Sequence, residues 1–196
     1  IRHDIKTNIS NCYKNPRLIT SKNSLISLIL FLIDKCNFRV GCEKYKELYK
    51  TYGVTTLNKN HFKIYENFID IEFIGKKGIK NKSRVLNKDI CYLLKQICSI
   101  NNGIYLFETN ETNKVNGKKI RITEKHINNY LKKYNKNITV KMFRTWSANY
   151  ILLKEILKYP LPETQKEAEK NVRIIVSKAA DKMHHTKAVS KNSYMN

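Results

Sequence analysis

The sequence predicts a mainly α domain holding one small antiparallel β-sheet, an α+β fold. Three observations carry that reading. Apolar residues recur at helical spacing in residues 24–35 and from Asn87 onward. Between about residues 52 and 86 the period shortens to β-branched and aromatic runs separated by turn-like clusters of Asn, Gly and Lys. No internal repeat and no Pro/Ser-rich linker divides the chain, so residues 1–196 read as a single domain.

The elements follow in order. Residues 24–35 (SLISLILFLIDK) form a buried helix capped by Ser24 or Asn23. Val54–Leu57, His61–Tyr65, Phe68–Ile74 and Ser83–Leu86 read as short strands. Along Phe68–Ile74, Ile69, Ile71 and Phe73 face one way and Asp70 and Glu72 the other. The basic stretch Gly75–Lys82 (GKKGIKNK) is then an exposed hairpin loop. Asn87 caps a helix running through Cys98, with Ile90, Leu93, Leu94 and Ile97 as its apolar stripe. The polar stretch 108–119 is expected to be a surface loop, and 124–134 a helix. Thr139 caps a helix to about Lys158, in which Phe143, Trp146, Tyr150, Leu153 and Leu157 repeat at three- and four-residue spacing, with Phe143 and Trp146 in the core. Pro160 and Pro162 end it, and a further helix runs from Glu163 to about Met183, its acidic residues in the first half. A short helix or loop carries Lys187–Tyr194.

Charge narrows the function. Lys and Arg total 38 against 16 Asp and Glu, a formal net charge of +22. That excess implies a polyanionic partner, foremost nucleic acid, because each neutralised phosphate releases a condensed counterion. An AT-biased genome would raise Lys without lowering the acidic residues. No apolar run reaches the roughly 18 residues of a membrane span, the longest being Leu25–Ile33, broken by Ser27.

Cys12, Cys36, Cys42, Cys91 and Cys98 are odd in number and widely spaced without a C-x-x-C, which supports neither a zinc site nor a redox pair. No metal site and no cofactor is expected. Gly-rich phosphate loops, H-E-x-x-H and G-x-S-x-G are missing, as are carboxylates paired for two metals. Phosphoryl transfer without a metal needs cations on the non-bridging oxygens, a side-chain nucleophile, and an acid for the leaving oxygen. Three patterns offer such groups: Phe38-Arg39-Val40-Gly41, Lys141-Met142-Phe143-Arg144-Thr145-Trp146, and His184-His185-Thr186 followed by Ser190-Lys191-Asn192-Ser193-Tyr194.

Arg39, Lys76, Lys141-x-x-Arg144, His185-Thr186 and Tyr194-Met195, in this order, resemble the catalytic domain of type IB DNA topoisomerases, most closely the small enzymes of poxviruses and other large DNA viruses. Tyr52-Gly53-Val54-Thr55-Thr56-Leu57, Phe73-Ile74-Gly75-Lys76 and Ser190-Lys191-x-x-Tyr194-Met195 extend the likeness over nearly the whole chain.

The resemblance implies the fold shared by tyrosine recombinases and type IB topoisomerases, and an enzyme that nicks one strand of duplex DNA, allows supercoils to relax, and reseals without ATP, metal or other cofactor. By it, Tyr194 is the nucleophile and forms a 3′-phosphotyrosyl bond, whose stored energy drives resealing. Arg39, Arg144 and His185 bind the phosphate oxygens; Lys76 protonates the leaving 5′-oxygen, helped by Arg39. Tyr45 and Lys141 match positions that contact phosphate, and Lys77 and Lys80 join them as DNA contacts on the basic stretch. Lys77 and Lys80 are also alternatives to Lys76 as the acid, and His184 to His185. A monomer acting on duplex DNA is implied, with no membrane partner, inside the cell with DNA: in the virion or viral replication site if viral, otherwise in the nucleus. The family's amino-terminal DNA-clamping domain and carboxy-terminal tail are expected to be absent from this chain. A tyrosine site-specific recombinase or integrase is the alternative, but recombinases usually carry His where Lys141 stands. The chain departs from the pattern at Lys77, where an acidic residue is expected, at His184, often Gly, and at Trp146, often Tyr.

Overall fold

The computed structural model describes residues 1–101, 103–113 and 117–189. Within them lie α-helices, a three-stranded sheet and a two-stranded one. Helix α1 (Arg2–Lys14), which the sequence pattern did not single out, buries Ile5, Ile9 and Cys12 against α2 (Lys22–Cys36) and α4 (Lys88–Ile100). Its stripe is one residue wide in an otherwise polar segment, too thin to stand out by period.

Helix α2 is the centre of the core, with Leu25, Leu28, Ile29, Leu30 and Leu32 at 0–1% exposure. Its cap is Ser21, upstream of the expected Asn23 or Ser24; the Ser21 hydroxyl accepts from Ser24 N. Ser27, the polar break in the run, accepts from Asn8 Nδ2 at 3.0 Å, so its hydroxyl is satisfied inside the core. Helix α3 (Glu43–Tyr49) follows, also unforeseen.

Strands β1 (Phe62–Ile64), β2 (Ile69–Ile74) and β3 (Lys80–Val85) pair antiparallel in that order, with Ile71 opposite both Phe62 and Ser83. Val54–Leu57 is not a strand. Val54–Thr56 forms a 3₁₀ turn, because Thr56 Oγ1 accepts from Gly53 N and donates to Gly53 O, closing the backbone locally in place of a ladder. The basic loop is shorter than expected, since Lys80–Lys82 belong to β3. Asp70, expected to face outward, is 7% exposed: the register sets it opposite Arg84, which donates to both its oxygens at 2.7 and 2.8 Å.

Helix α4 matches its sequence signals. Asn87 Oδ1 accepts from Ile90 N at 3.0 Å, and the expected stripe is buried with Cys91 and Cys98. The 108–119 stretch is not the surface loop expected of it. Strand β4 (Glu108–Thr112) pairs with β5 (Lys119–Arg121), a polar ribbon held by backbone bonds that leaves no apolar alternation to read.

Helices α5 (Glu124–Leu131), α6 (Val140–Ile156) and α7 (Gln165–Lys182) complete the domain, with Thr139 and Thr164 at the caps of the last two. The inward face of α6 reverses the sequence expectation. Arg144, Ser147, Ala148, Leu152 and Glu155 are buried. Trp146 is 64% exposed, Tyr150 52%, Leu153 55% and Leu157 75%, and Phe143 alone of the expected stripe packs against the core. The reason is electrostatic. Glu155 draws Lys158 and Lys182 to 2.7 and 2.8 Å and so fastens α6 to α7, while Arg144 points to the end of α7. A helix that turns two charged groups inward must turn its opposite, aromatic face out. No helix among the described residues is long and apolar enough to cross a membrane.

Candidate active site

Arg39 owes its place to a sharp turn at the end of α2. Asn37 leaves the helix in the left-handed region (φ 56°), and Phe38 is fully buried with its ring edge-on to Phe73 at 4.9 Å. The next residues are clamped along their backbone: Arg39 O accepts from Val54 N at 2.9 Å, and Val40 O accepts from Thr55 N and Thr55 Oγ1, both at 2.8 Å. The guanidinium is thus carried on a fixed segment, and it lines an open cleft.

Lys76 stands on the β2–β3 hairpin. Gly75 N donates to Ile79 O at 2.8 Å, and Lys77 and Gly78 both take positive φ (64° and 72°), which reverses the chain in a tight turn. Lys76 is exposed at the tip, its Nζ 5.8 Å from the ring centre of Tyr45 on α3. Tyr45 stacks on Tyr49 one helical turn further, with centroids 6.0 Å apart.

Arg144 comes from α6 and is 6% exposed, its Nη2 donating to Met183 O at 2.9 Å. That bond ties it to the turn after α7, where His185 lies, also 6% exposed. Burial pushes the His185 imidazolium below the usual histidine range, and the nearby guanidiniums of Arg144 and Arg39 lower it further. Its Nδ1 bonds Thr186 O at 3.1 Å; a carbonyl only accepts, so Nδ1 carries the hydrogen.

Arg39, Lys76 and Arg144, more than thirty residues apart in sequence, therefore line one cleft of about 660 Å³ with Tyr45, Lys77 and Lys141. Glu124 is the one acidic residue among its described lining residues. His185 is not among the residues that line the cleft. Lys80 is not brought in either: its ammonium pairs with Glu72 at 2.7 Å on the hairpin. Tyr194 lies outside the described residues, as does the rest of 190–196. His184 turns its ring from the cleft to Cys36 O, 3.0 Å away. Among the described residues no three His, Cys, Asp or Glu side chains are grouped to hold a metal ion.

The sequence reading missed Cys42, Tyr49, Tyr52 and Glu124, all of which line the cleft. Tyr49 was findable: it follows Tyr45 by four residues, a same-face pair once Glu43–Tyr49 is read as a helix. In chemical terms the cleft concentrates cations on rigid backbone with aromatic faces beside them. Such a site holds a phosphodiester anion through forked guanidinium bonds and offers an ammonium at its edge.

The family description "Eukaryotic DNA topoisomerase I, catalytic core" matches residues 1–196. The chain is 32% identical over 180 residues to DNA topoisomerase 1B of Acanthamoeba polyphaga mimivirus, covering 89% of this chain and 53% of that protein. Against DNA topoisomerase 1B of Vaccinia virus (strain Copenhagen) it is 26% identical over 197 residues, 94% of this chain and 56% of the relative. DNA topoisomerase 1 of Mycosarcoma maydis is 28% identical over 165 residues, 76% of this chain and 15% of the relative. The chain spans about half the length of the two viral relatives.

Proposed function

Since the chain belongs to the DNA topoisomerase I catalytic-core family, we propose that it is the catalytic part of a type IB DNA topoisomerase, which nicks one strand of duplex DNA, lets supercoils relax and reseals the nick without ATP or metal. The observation that carries this reading is the convergence of Arg39, Lys76 and Arg144, from three distant segments, on one basic cleft.

In the step proposed, the Tyr194 phenol gives up its proton to water and its Oη attacks the phosphorus, forming a phosphotyrosyl ester at the 3′ end while the bond to the 5′-oxygen breaks. Arg39 and Arg144 hold the non-bridging oxygens where charge concentrates in the transition state. Lys76 gives its proton to the departing 5′-oxygen, and Arg39 assists. Resealing runs the same atoms in reverse, the 5′-hydroxyl attacking and the phenolate leaving, so no outside energy is required. His185 fits the phosphate-binding role through its charge: with Nδ1 committed to Thr186 O, a phosphate beside Nε2 favours the imidazolium, which then donates from both nitrogens. Tyr45, Lys77 and Lys141 line the same cleft and contact the flanking backbone; Lys80 does so from the hairpin by exchanging its partner Glu72 for phosphate. The enzyme works as a monomer on duplex DNA inside the cell.

The test is incubation of the full-length protein with a labelled duplex, followed by denaturation in SDS. A labelled protein adduct, together with relaxation of a supercoiled plasmid lacking paired sites, supports the reading. Adduct without relaxation, and strand exchange only between paired sites, would assign it to the recombinases instead. No adduct at all would refute transesterification.

A further inference from the structure

The end of α7 and the end of α2 are clasped to each other by bonds that the phosphate-binding groups do not themselves need. His184 Nε2 bonds Cys36 O at 3.0 Å, and since a carbonyl only accepts, that nitrogen carries the hydrogen. Asn37 Nδ2 donates in the opposite direction, to Lys182 O at 3.2 Å. The His184 ring also lies against Phe38, centroids 5.4 Å apart. Both residues of the clasp sit in the left-handed region, Asn37 at φ 56° and His184 at φ 51°. Asn and His are both enriched among the few non-glycine residues that adopt that conformation, and such a residue persists where its surroundings hold it.

What the clasp joins is informative. Arg39 is three residues beyond Cys36, and His185 is the residue after His184. Arg144 reaches the same turn through Met183 O at 2.9 Å. The separation between the Arg39 segment and the His185 turn is therefore set by His184 from one side and Asn37 from the other. We propose that His184 is a positioning residue, which latches the turn after α7 to the end of α2 and so holds His185 beside Arg39 and Arg144. Its effect on rate rests on the phosphate-binding role proposed above for those three residues; its effect on the placement of His185 does not. Misplacement of a reacting constellation by about 1 Å costs on the order of 100-fold in rate, so a lost latch is legible in chemistry even where the fold survives.

The experiment compares the full-length parent with His184→Gly, which accepts the left-handed backbone without strain but has no ring to bond Cys36 O. Three quantities are read: equilibrium binding to a labelled duplex, the single-turnover rate of adduct formation at saturating protein, and the His185 imidazole ¹H–¹⁵N signals in the free protein. The expected result is binding within about threefold, because phosphate contacts elsewhere carry affinity, adduct formation slower by at least about tenfold, and His185 signals displaced. Asn37→Gly, which removes the bond to Lys182 O and keeps the backbone conformation, should move rate and signals the same way by less; it decides the matter if His184→Gly does not fold. Unchanged rate, or a slower rate with His185 signals unmoved, overturns the latch. So does a fall in melting temperature with the other readouts at parental values, which is a purely structural role. If the parent itself forms no adduct, the transesterification reading fails separately, and the His185 signals alone decide the latch.

Discussion

The backbones of Gly41 and Gly53 are in direct contact: a Cβ built on Gly53 would stand 2.5 Å from both Cα and N of Gly41, and 2.7 Å from Arg39 O. Arg39 is thus seated on a backbone-to-backbone surface that admits no side chain. The φ of Gly53 is −153°, ordinary extended backbone, so the requirement for glycine is one of space alone.

Gly53→Ala should therefore displace the Arg39 segment, since all three neighbouring atoms are backbone and none belongs to a flexible side chain. Overpacking of this kind costs about 1–3 kcal/mol, and adduct formation should fall with stability. Gly78→Ala is the control: its Cβ meets nothing within 4 Å, but φ is +72°, so only a backbone cost of about 1–2 kcal/mol applies. Thermal melts and single-turnover adduct assays on both variants check the contrast; a Gly53→Ala protein with parental rate and melting temperature would contradict it.

Tyr194→Phe should abolish the SDS-stable adduct and leave duplex binding within a few-fold, because in the proposed reaction the hydroxyl is the nucleophile while phosphate contacts dominate affinity. An adduct surviving in that variant would mean that another residue attacks.

Lys76→Ala should be slow on an ordinary site, by roughly 10²–10⁴ if the ammonium is the general acid. On a substrate with sulfur in the bridging 5′ position the leaving thiolate needs no proton, and the variant should recover nearly to the parent rate. Arg144→Ala should show no such recovery, since its proposed role is on the non-bridging oxygens. Equal slowness of Lys76→Ala on both substrates would make Lys76 a phosphate binder and move the acid to Lys77, Lys80 or Arg39.

Duplex binding should weaken steeply with salt, with a slope of log K against log[salt] of about −0.9 per phosphate contacted. Several contacts give a slope steeper than about −4. A slope near zero in a salt titration would remove electrostatics as the basis of binding.

Glu155 supplies the clearest acid-side expectation for stability. Its bonds to Lys158 and Lys182 hold the carboxyl below its ordinary 4.5, at about 2. A carboxyl depressed in the folded state stabilises it fully above the unfolded value, and that contribution drains away as pH falls from about 4.5 through about 2. Glu155→Gln should melt lower than the parent at neutral pH, with the difference closing across that window. A difference independent of pH would show that the α6–α7 junction depends on packing and not on the charge.

The sequence by itself determined the class of fold and the excess of basic charge, and it set the candidate site residues in order along the chain. Asn87 marks a helix start because its cap is a local bond, Asn87 Oδ1 accepting from Ile90 N, Thr139 stands where expected before the first turn of α6, and β2 announces itself by Ile69, Ile71 and Phe73 on one face. Net charge needs no structure at all. Tertiary structure alone decided the rest. Trp146 is outside and Arg144 inside because periodicity locates a helical stripe but cannot say which stripe turns inward once Glu155 and Arg144 have partners on and beyond α7. β4 and β5 are polar strands whose pairing is a backbone matter, invisible to side-chain pattern. The cleft itself is non-local: Arg39, Lys76 and Arg144 are separate motifs in the chain, and they become one site because Gly53 lets the Arg39 segment close against its neighbour and because Met183 O and Cys36 O fasten the ends of α6, α7 and α2 together.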